Sequence, residues 1–311
     1  TEDNMSKNFL FMAVAKGSVS TEATEIKKFI GIAPCHIVGV NPNKDQIKSL
    51  MGYEPKEEPV YTGVQEVDGK QVNFARVTFV IRTDAEKCGI ETTQMMSFFI
   101  RNQYRKGSQS GKYQVIDEYG RTAWATEDVI KAKGKIYYKD GTMEANVSQN
   151  YRPLYMGEEE LTNFIKAYLN IPNAMDYVNG TWVMKTGDAL KDCECRLDEI
   201  PNYFKGNFKE IQDAIALQPN NKVKVLFGIR TTDDGKEYQD VYTRTVLRNS
   251  STNIAAIQKE IEDSKNSGGL ANRTYEFCDL KEYKVTPTEF NDTPVANDPF
   301  ANATPVENTP W

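Results

Sequence analysis

The chain has 311 residues, of which 39% are hydrophobic and 26% charged; its net charge is −6 and its mean hydropathy is −0.59. That is enough chain for one large domain or two modest ones, with a polar surface. No apolar run approaches a membrane span, and the first residues lack a basic segment followed by an apolar one, so the sequence predicts no membrane partner, no signal peptide and a cytoplasmic location.

Residues 1–24 read as a flexible N-terminal arm, with Ser18, Ser20, Thr21 and Thr24 among small residues. Structure is expected from about Ile26, with a short apolar strand at His36–Val40 and a short helix from Pro42-Asn43 through Leu50, ended by Gly52. A β-rich block follows. Val60–Glu66 and Gln71–Thr83 flank Val67-Asp68-Gly69-Lys70, a strong hairpin signal. Val72 and Phe74 share one parity and Val77, Phe79 and Ile81 the other, which predicts a bulge near Ala75-Arg76. Further strands are expected at Ile90–Arg101 and Tyr113–Ile116, around the polar loop Gln103–Lys112, with a turn at Lys139-Asp140-Gly141-Thr142.

A helical insert is expected around 156–217. Leu161, Phe164, Ile165, Tyr168 and Leu169 recur at helical spacing behind Glu158-Glu159-Glu160, which suit the positive end of a helix dipole. Phe208, Ile211, Ala214 and Ile215 mark a second helix, closed by Pro219. A long hairpin then spans Val223–Arg248, a helix covers about Asn253–Ser264, and a short strand lies at Tyr275–Leu280. Strands on both sides of a helical insert predict one α+β domain, residues 25–284, built on a β-barrel core.

Catalysis finds little support. His36 is the only histidine, and there is no phosphate-binding glycine loop. Five cysteines, Cys35, Cys88, Cys193, Cys195 and Cys278, are scattered and odd in number. Cys193-Glu194-Cys195 with Cys35, His36 or Cys88 could supply four zinc ligands, but Cys-x-Cys is not the usual knuckle spacing, and free thiols of a reducing compartment are the simpler reading. No enzyme activity, cofactor or metal is therefore expected.

Two stretches suit nucleic acid instead. In the hairpin, Val223, Val225, Phe227 and Ile229 form an apolar face, while Lys222, Lys224 and Arg230 share the other with Tyr238, Tyr242 and Arg244. The turn Asp233-Asp234-Gly235 fixes a register with Arg230 opposite Tyr238, Leu226 opposite Tyr242 and Lys224 opposite Arg244. Like charges facing each other destabilise a bare sheet, and an anion between Lys224 and Arg244 would relieve this; the alternative is that the cations only snorkel into solvent. The second stretch carries Phe99, Arg101, Tyr104, Arg105, Lys106, Lys112, Tyr113, Tyr119, Arg121 and Trp124. Rings that stack on bases without choosing sequence, interleaved with cations that follow the backbone, are what single strands require. Some of these rings are also expected to belong to an ordinary core.

Four of the six net negative charges sit in the last 27 residues (Glu289, Asp292, Asp298 and Glu307), which contain five prolines and no Lys, Arg or Gly. Residues 285–311 therefore read as a disordered acidic tail. It keeps aromatic anchors at Asp298-Pro299-Phe300 and at Trp311, suited to docking a partner or to visiting the protein's own basic groove.

Taken with Lys87-Cys88-Gly89-Ile90-Glu91, Val115–Trp124, Tyr177–Val183 and Leu217–Gly228, these features resemble the single-stranded DNA-binding proteins of crAss-like and related gut bacteriophages. The resemblance implies an OB-like barrel that coats unpaired DNA during phage replication in the host cytoplasm, and an acidic tail that recruits replication proteins. A virion structural or packaged protein using the tail for assembly is the main alternative. A replication-associated nuclease is a third, although no metal-binding carboxylate cluster can be located for it.

Overall fold

The computed structural model describes residues 26–107, 111–117, 122–137, 147–148, 151–170, 175–178, 181–184 and 200–285. The expected arm 1–24, the turn Lys139-Asp140-Gly141-Thr142, the Cys193/Cys195 pair and the tail beyond Val285 lie outside these residues. The chain opens with β1 (Ile26–Val40), α1 (Lys44–Met51), β2 (Thr62–Val67), β3 (Lys70–Thr83), α2 (Ala85–Cys88) and β4 (Thr93–Tyr104). Next come β5 (Lys112–Asp117), β6 (Thr122–Thr126), α3 (Glu127–Lys131), β7 (Ile136–Tyr137), β8 (Val147–Ser148), β9 (Tyr151–Pro153) and β10 (Tyr155–Met156). The middle holds α4 (Glu158–Tyr168), β11 (Met175–Val178), β12 (Thr181–Met184), α5 (Ile200–Tyr203) and α6 (Lys209–Ala216). Last are β13 (Val223–Thr231), β14 (Glu237–Val241), β15 (Leu247–Arg248), α7 (Ala255–Asn266), β16 (Arg273–Tyr275) and β17 (Lys281–Val285).

The fold is α+β and rich in strands. Ten strands form one antiparallel sheet along the path β10-β4-β3-β1-β13-β14, with β2 on β3, β17 on β1, and β15 and β16 on β13. Its curl into a half-barrel follows from β1, which changes partners along its length. Ile26–Ile30 pair with β17, Gly31–Cys35 with β13, and Cys35–Val40 with β3. Gly31 sits at the first exchange with φ 123°, and a Cβ there would lie 2.8 Å from the Cys278 carbonyl oxygen. Only glycine accepts both that conformation and that approach.

The Asp-Gly hairpin forms as expected, with Asp68 at φ 52° and Gly69 at φ 73°, the positive values that a tight two-residue turn requires. The bulge expected near Ala75-Arg76 is absent. The register of β3 against β4 runs unbroken from Phe74↔Arg101 to Arg82↔Thr93. The parity switch has another cause: β3 is buried on both faces, with Ala75, Val77, Phe79 and Ile81 on one and Phe74 and Val80 on the other. The register shift that bends the sheet lies in β1, between Ile37 and Gly39.

The main core fills the concave side. Alternate residues of β1, β3, β4 and β13 meet Leu161, Phe164, Ile165 and Tyr168 of α4 and Ile211, Ala214 and Ile215 of α6. Phe164 sits 4.6 Å from Phe79 and 5.0 Å from Phe98, centroid to centroid. A second core lies on the opposite face of β13, where Leu226, Tyr242, Leu247 and Tyr275 pack under Ile257 and Ile261 of α7. β13 is thus covered on both sides, which accounts for its near-continuous apolar run. A third cluster (Val115, Ala123, Ala125, Ile130, Ile136) joins the small sheet β6-β5-β9 to α3 and β7.

The helical insert contains α4, α5 and α6, but also the hairpin β11–β12. Glu158 begins α4 as its charge suggests, yet it is fully buried, bound by the Arg152 guanidinium and by the Tyr155 N–H at 3.0 Å. Among the described residues, no helix is long and apolar enough to cross a membrane.

Candidate nucleic-acid interface

The face of β3 and β4 that turns away from the main core carries cross-strand pairs Phe74–Arg101, Arg76–Phe99, Thr78–Ser97, Val80–Met95 and Arg82–Thr93. Strand alternation puts them there: Met96, Phe98 and Ile100 point into the core, so Phe99 and Arg101 cannot. The Arg76 guanidinium lies 5.2 Å from the Phe99 ring centroid, in cation–π contact, and its Nε donates to Ser97 Oγ at 3.3 Å. Two further rings border it. Burial pushes the hydroxyls of Tyr53 and Tyr61 up, and the nearby Arg76 charge opposes that shift at both. Tyr61 is fixed by donating to the Pro42 carbonyl, while Tyr53 is 38% exposed. Arg82 extends the strip, with Nε on Thr93 Oγ1 at 3.2 Å and Glu91 at 3.5 Å. The result is a half-buried row of arginines and rings, with Phe74, Thr78 and Val80 of the same face buried. Sequence patterning singles out Phe99 and Arg101 from it but misses Arg76, Arg82, Tyr53 and Tyr61, although the alternation Arg76–Thr78–Arg82 within β3 carries the signal.

The rest of the second stretch divides by face. Tyr104 and Tyr113 meet edge to face at 5.6 Å and pack on the third cluster, so these two rings are core, as expected of some. The ladder continues past Tyr104 through Gln114 N–H to the Arg105 carbonyl and Gly107 N–H to the Lys112 carbonyl. That register places Arg105, Gly107, Lys112 and Gln114 on the other face, beside Trp124, which pairs with Gln114. The Trp124 ring lies so close over Gly107 that a Cβ there would come within 2.1 Å of it. Arg105 pairs with Glu159, and Lys106 is exposed. Tyr119 and Arg121 lie outside the described residues, as do Asp298, Pro299, Phe300 and Trp311 of the tail.

In the long hairpin the expected register holds at its closed end. Arg230 faces Tyr238, its guanidinium 5.7 Å from the ring centroid, and the Tyr242 N–H donates to the Leu226 carbonyl at 2.9 Å. It then fails. Lys224 pairs with Leu247, not Arg244, because the return strand leaves the ladder between Val241 and Leu247. In that excursion Tyr242 and Thr245 both donate to Glu260 of α7. Tyr242, expected on a surface, is buried in the second core, and burial followed by Glu260 pushes its hydroxyl up. The anion expected between Lys224 and Arg244 therefore has no pair to bridge. Lys224 donates to the Ser251 carbonyl at 2.7 Å, and Arg244 is exposed. Lys222 is bound to the buried carboxylate of Asp84. The like-charge pair exists elsewhere: Arg230 faces Arg273 of β16 on its other side.

Among the described residues, no three His, Cys, Asp or Glu side chains gather as metal ligands. Burial raises the Cys35 thiol well above its ordinary value, with Cys88 and Asp84 adding to the shift. No family model matches the chain, and no curated protein and no solved structure is detectably similar to it.

Proposed function

We propose that this protein binds single-stranded DNA without sequence preference, coating and protecting unpaired strands during phage replication, recombination and repair. In this reading the curled sheet is an OB-like barrel, the protein is a binding module and not an enzyme, and residues 285–311 recruit replication proteins through Asp298-Pro299-Phe300 and Trp311. The observation that carries the proposal is the Arg76–Phe99 pair, set beside Arg101, Tyr53 and Tyr61 on the face of β3 and β4 turned away from the core. A half-buried ring with a guanidinium over it offers a base the accessible part of a stacking surface and a phosphate a charge in the same place. The second support is Arg230 on Tyr238.

Magnitudes shape the expected behaviour. Each stacked base contributes roughly 1–3 kcal/mol, so Phe99 and Tyr238 together supply about 2–6 kcal/mol. A micromolar complex requires about 8 kcal/mol. Phosphate contacts must supply the remainder, and binding must weaken with salt. A fluorescent oligo-dT titrated at several salt concentrations should give a slope of about −0.7 per neutralised phosphate, with duplex of the same length binding more weakly. Phe99→Ala should cost about 1–3 kcal/mol of oligo-dT affinity. Equal affinity for duplex and single strands would remove the stacking argument, and absence of oligo-dT binding would end the proposal.

A further inference from the structure

Arg230 stands in a row that crosses three strands, with Tyr238 of β14 on one side and Arg273 of β16 on the other. The chain beyond α7 closes over this row. The Thr231 N–H donates to the Asn272 carbonyl at 2.8 Å and the Arg273 N–H to the Leu270 carbonyl at 3.1 Å. Between hairpin tip and loop lies a cleft of about 320 Å³, lined by Arg230 and Arg273, by Thr231, Thr232 and Asp233, and by Gly268-Gly269 and Ala271-Asn272.

The charges in this cleft are arranged unusually. Directly opposed cations repel, and sheets avoid them unless something lies between. Asp240 meets Arg273 at Nε, 3.2 Å away, and so orients it; the terminal nitrogens of Arg273 have no hydrogen-bond partner among the described residues. Arg230 has no carboxylate partner among the described residues and lies against the Tyr238 ring. Asp233 is the one acidic residue in the lining, and it is exposed at the hairpin tip. Two neighbouring guanidiniums lining one polar cleft, Arg230 without a carboxylate partner among the described residues and Arg273 held by Asp240 only at Nε, with the Tyr238 ring beside Arg230, match the oxygens of a phosphate.

We propose that this cleft is a phosphate subsite, in which Arg230 and Arg273 hold one phosphate group while Tyr238 offers its face to the attached nucleoside. It rests on the single-strand reading for its source, a backbone phosphate of bound DNA; a free phosphate or mononucleotide has the same chemistry.

Two measurements separate these. The first compares oligo-dT affinity and salt slope for the full chain and for Arg230→Gln, with Arg273→Gln as a second variant and thermal melting to check folding. The second follows the Arg230 and Arg273 Nε–Hε resonances while inorganic phosphate or thymidine monophosphate is added. A several-fold loss of oligo-dT affinity with Arg230→Gln, and a slope shallower by about 0.7, identifies a strand phosphate. Unchanged oligo-dT binding with resonances that shift in phosphate identifies a free-phosphate site. Were wild type to ignore oligo-dT while those resonances still moved, the functional reading would fail and the cleft would stand. Resonances that stay still in phosphate, together with an Arg230→Gln variant that binds oligo-dT as wild type does, overturn the subsite.

Discussion

Lys222 and Lys224 flank Val223, and both look available in the sequence, yet each has a structural task. Asp84 is buried and caps α2 through the Glu86 N–H at 3.1 Å, and Lys222 reaches it from 138 positions away in the chain. The Lys222 hydrogen bond holds the Asp84 carboxyl below the usual carboxylate range, against the opposing effect of burial. The folded value thus lies below the unfolded value of about 3.9. The stability this contributes is fully present above the unfolded value and is lost as pH falls through the folded one. Lys222→Met should destabilise the protein by roughly 2 kcal/mol at neutral pH, because it leaves a buried carboxylate unpaired. The gap between variant and wild type should close below about pH 4 as both forms protonate Asp84. Urea unfolding at neutral, mildly acidic and strongly acidic pH checks this, and a gap independent of pH would contradict it. Nothing local marks Lys222 for this role: cations near a strand look alike until the partner is placed.

Period-two alternation was most readable in strands with one solvated face. It gives the core side of β4 correctly, and with it Phe99 and Arg101. It misleads in β3, where Phe74 is buried on the face opposite the core and imitates a register shift. It also fails at the far end of the long hairpin. There the local turn dictates Arg230↔Tyr238, but the excursion between Val241 and Leu247 is set by Glu260, which is placed only when α7 docks. The two hydroxyls on Glu260 are charge-assisted donors next to a packed core, so Glu260→Ala should cost about 2 kcal/mol. Urea unfolding gives that number, and near-ultraviolet dichroism should report the loosened Tyr242–Tyr275 pair, whose rings meet at 5.5 Å. A loss below about 0.5 kcal/mol, within the range of ordinary surface substitutions, would mean that hydrophobic contacts alone dock α7.

Across the molecule, the class was legible as α+β because strand and helix periodicities alternate strongly along the chain. The pairing of β1 with β17 was not, because no local rule connects residues so far apart. This pairing also sets where the tail can be removed. Val285 pairs with Ile26, so a truncation that spares the sheet must begin at Thr286. If the tail competes weakly for the basic row, removing residues 286–311 should raise oligo-dT affinity about twofold at low salt and leave it unchanged near physiological salt, where screening is stronger. The same truncation should abolish capture of replication proteins from infected-cell extract, with Trp311→Ala reproducing part of the loss. Lower DNA affinity with capture intact would show that the tail neither competes nor docks.

The exchange of partners at Gly31 bears on how the protein is made. On a ribosome, β1 emerges before each of its partner strands, with both edges unsatisfied. β3 can claim one end within a few seconds, but Gly31–Cys35 must wait until β13 has been synthesised, and Ile26–Ile30 until residue 285 has. At ~5–20 residues per second that wait lasts roughly 10–50 s. Throughout it, a half-paired strand containing Phe29, Ile30 and Ile32 is open to any other nascent edge nearby. Crowded synthesis of many copies at once would then tax this protein through β1, and chaperone demand should track the residues that finish last.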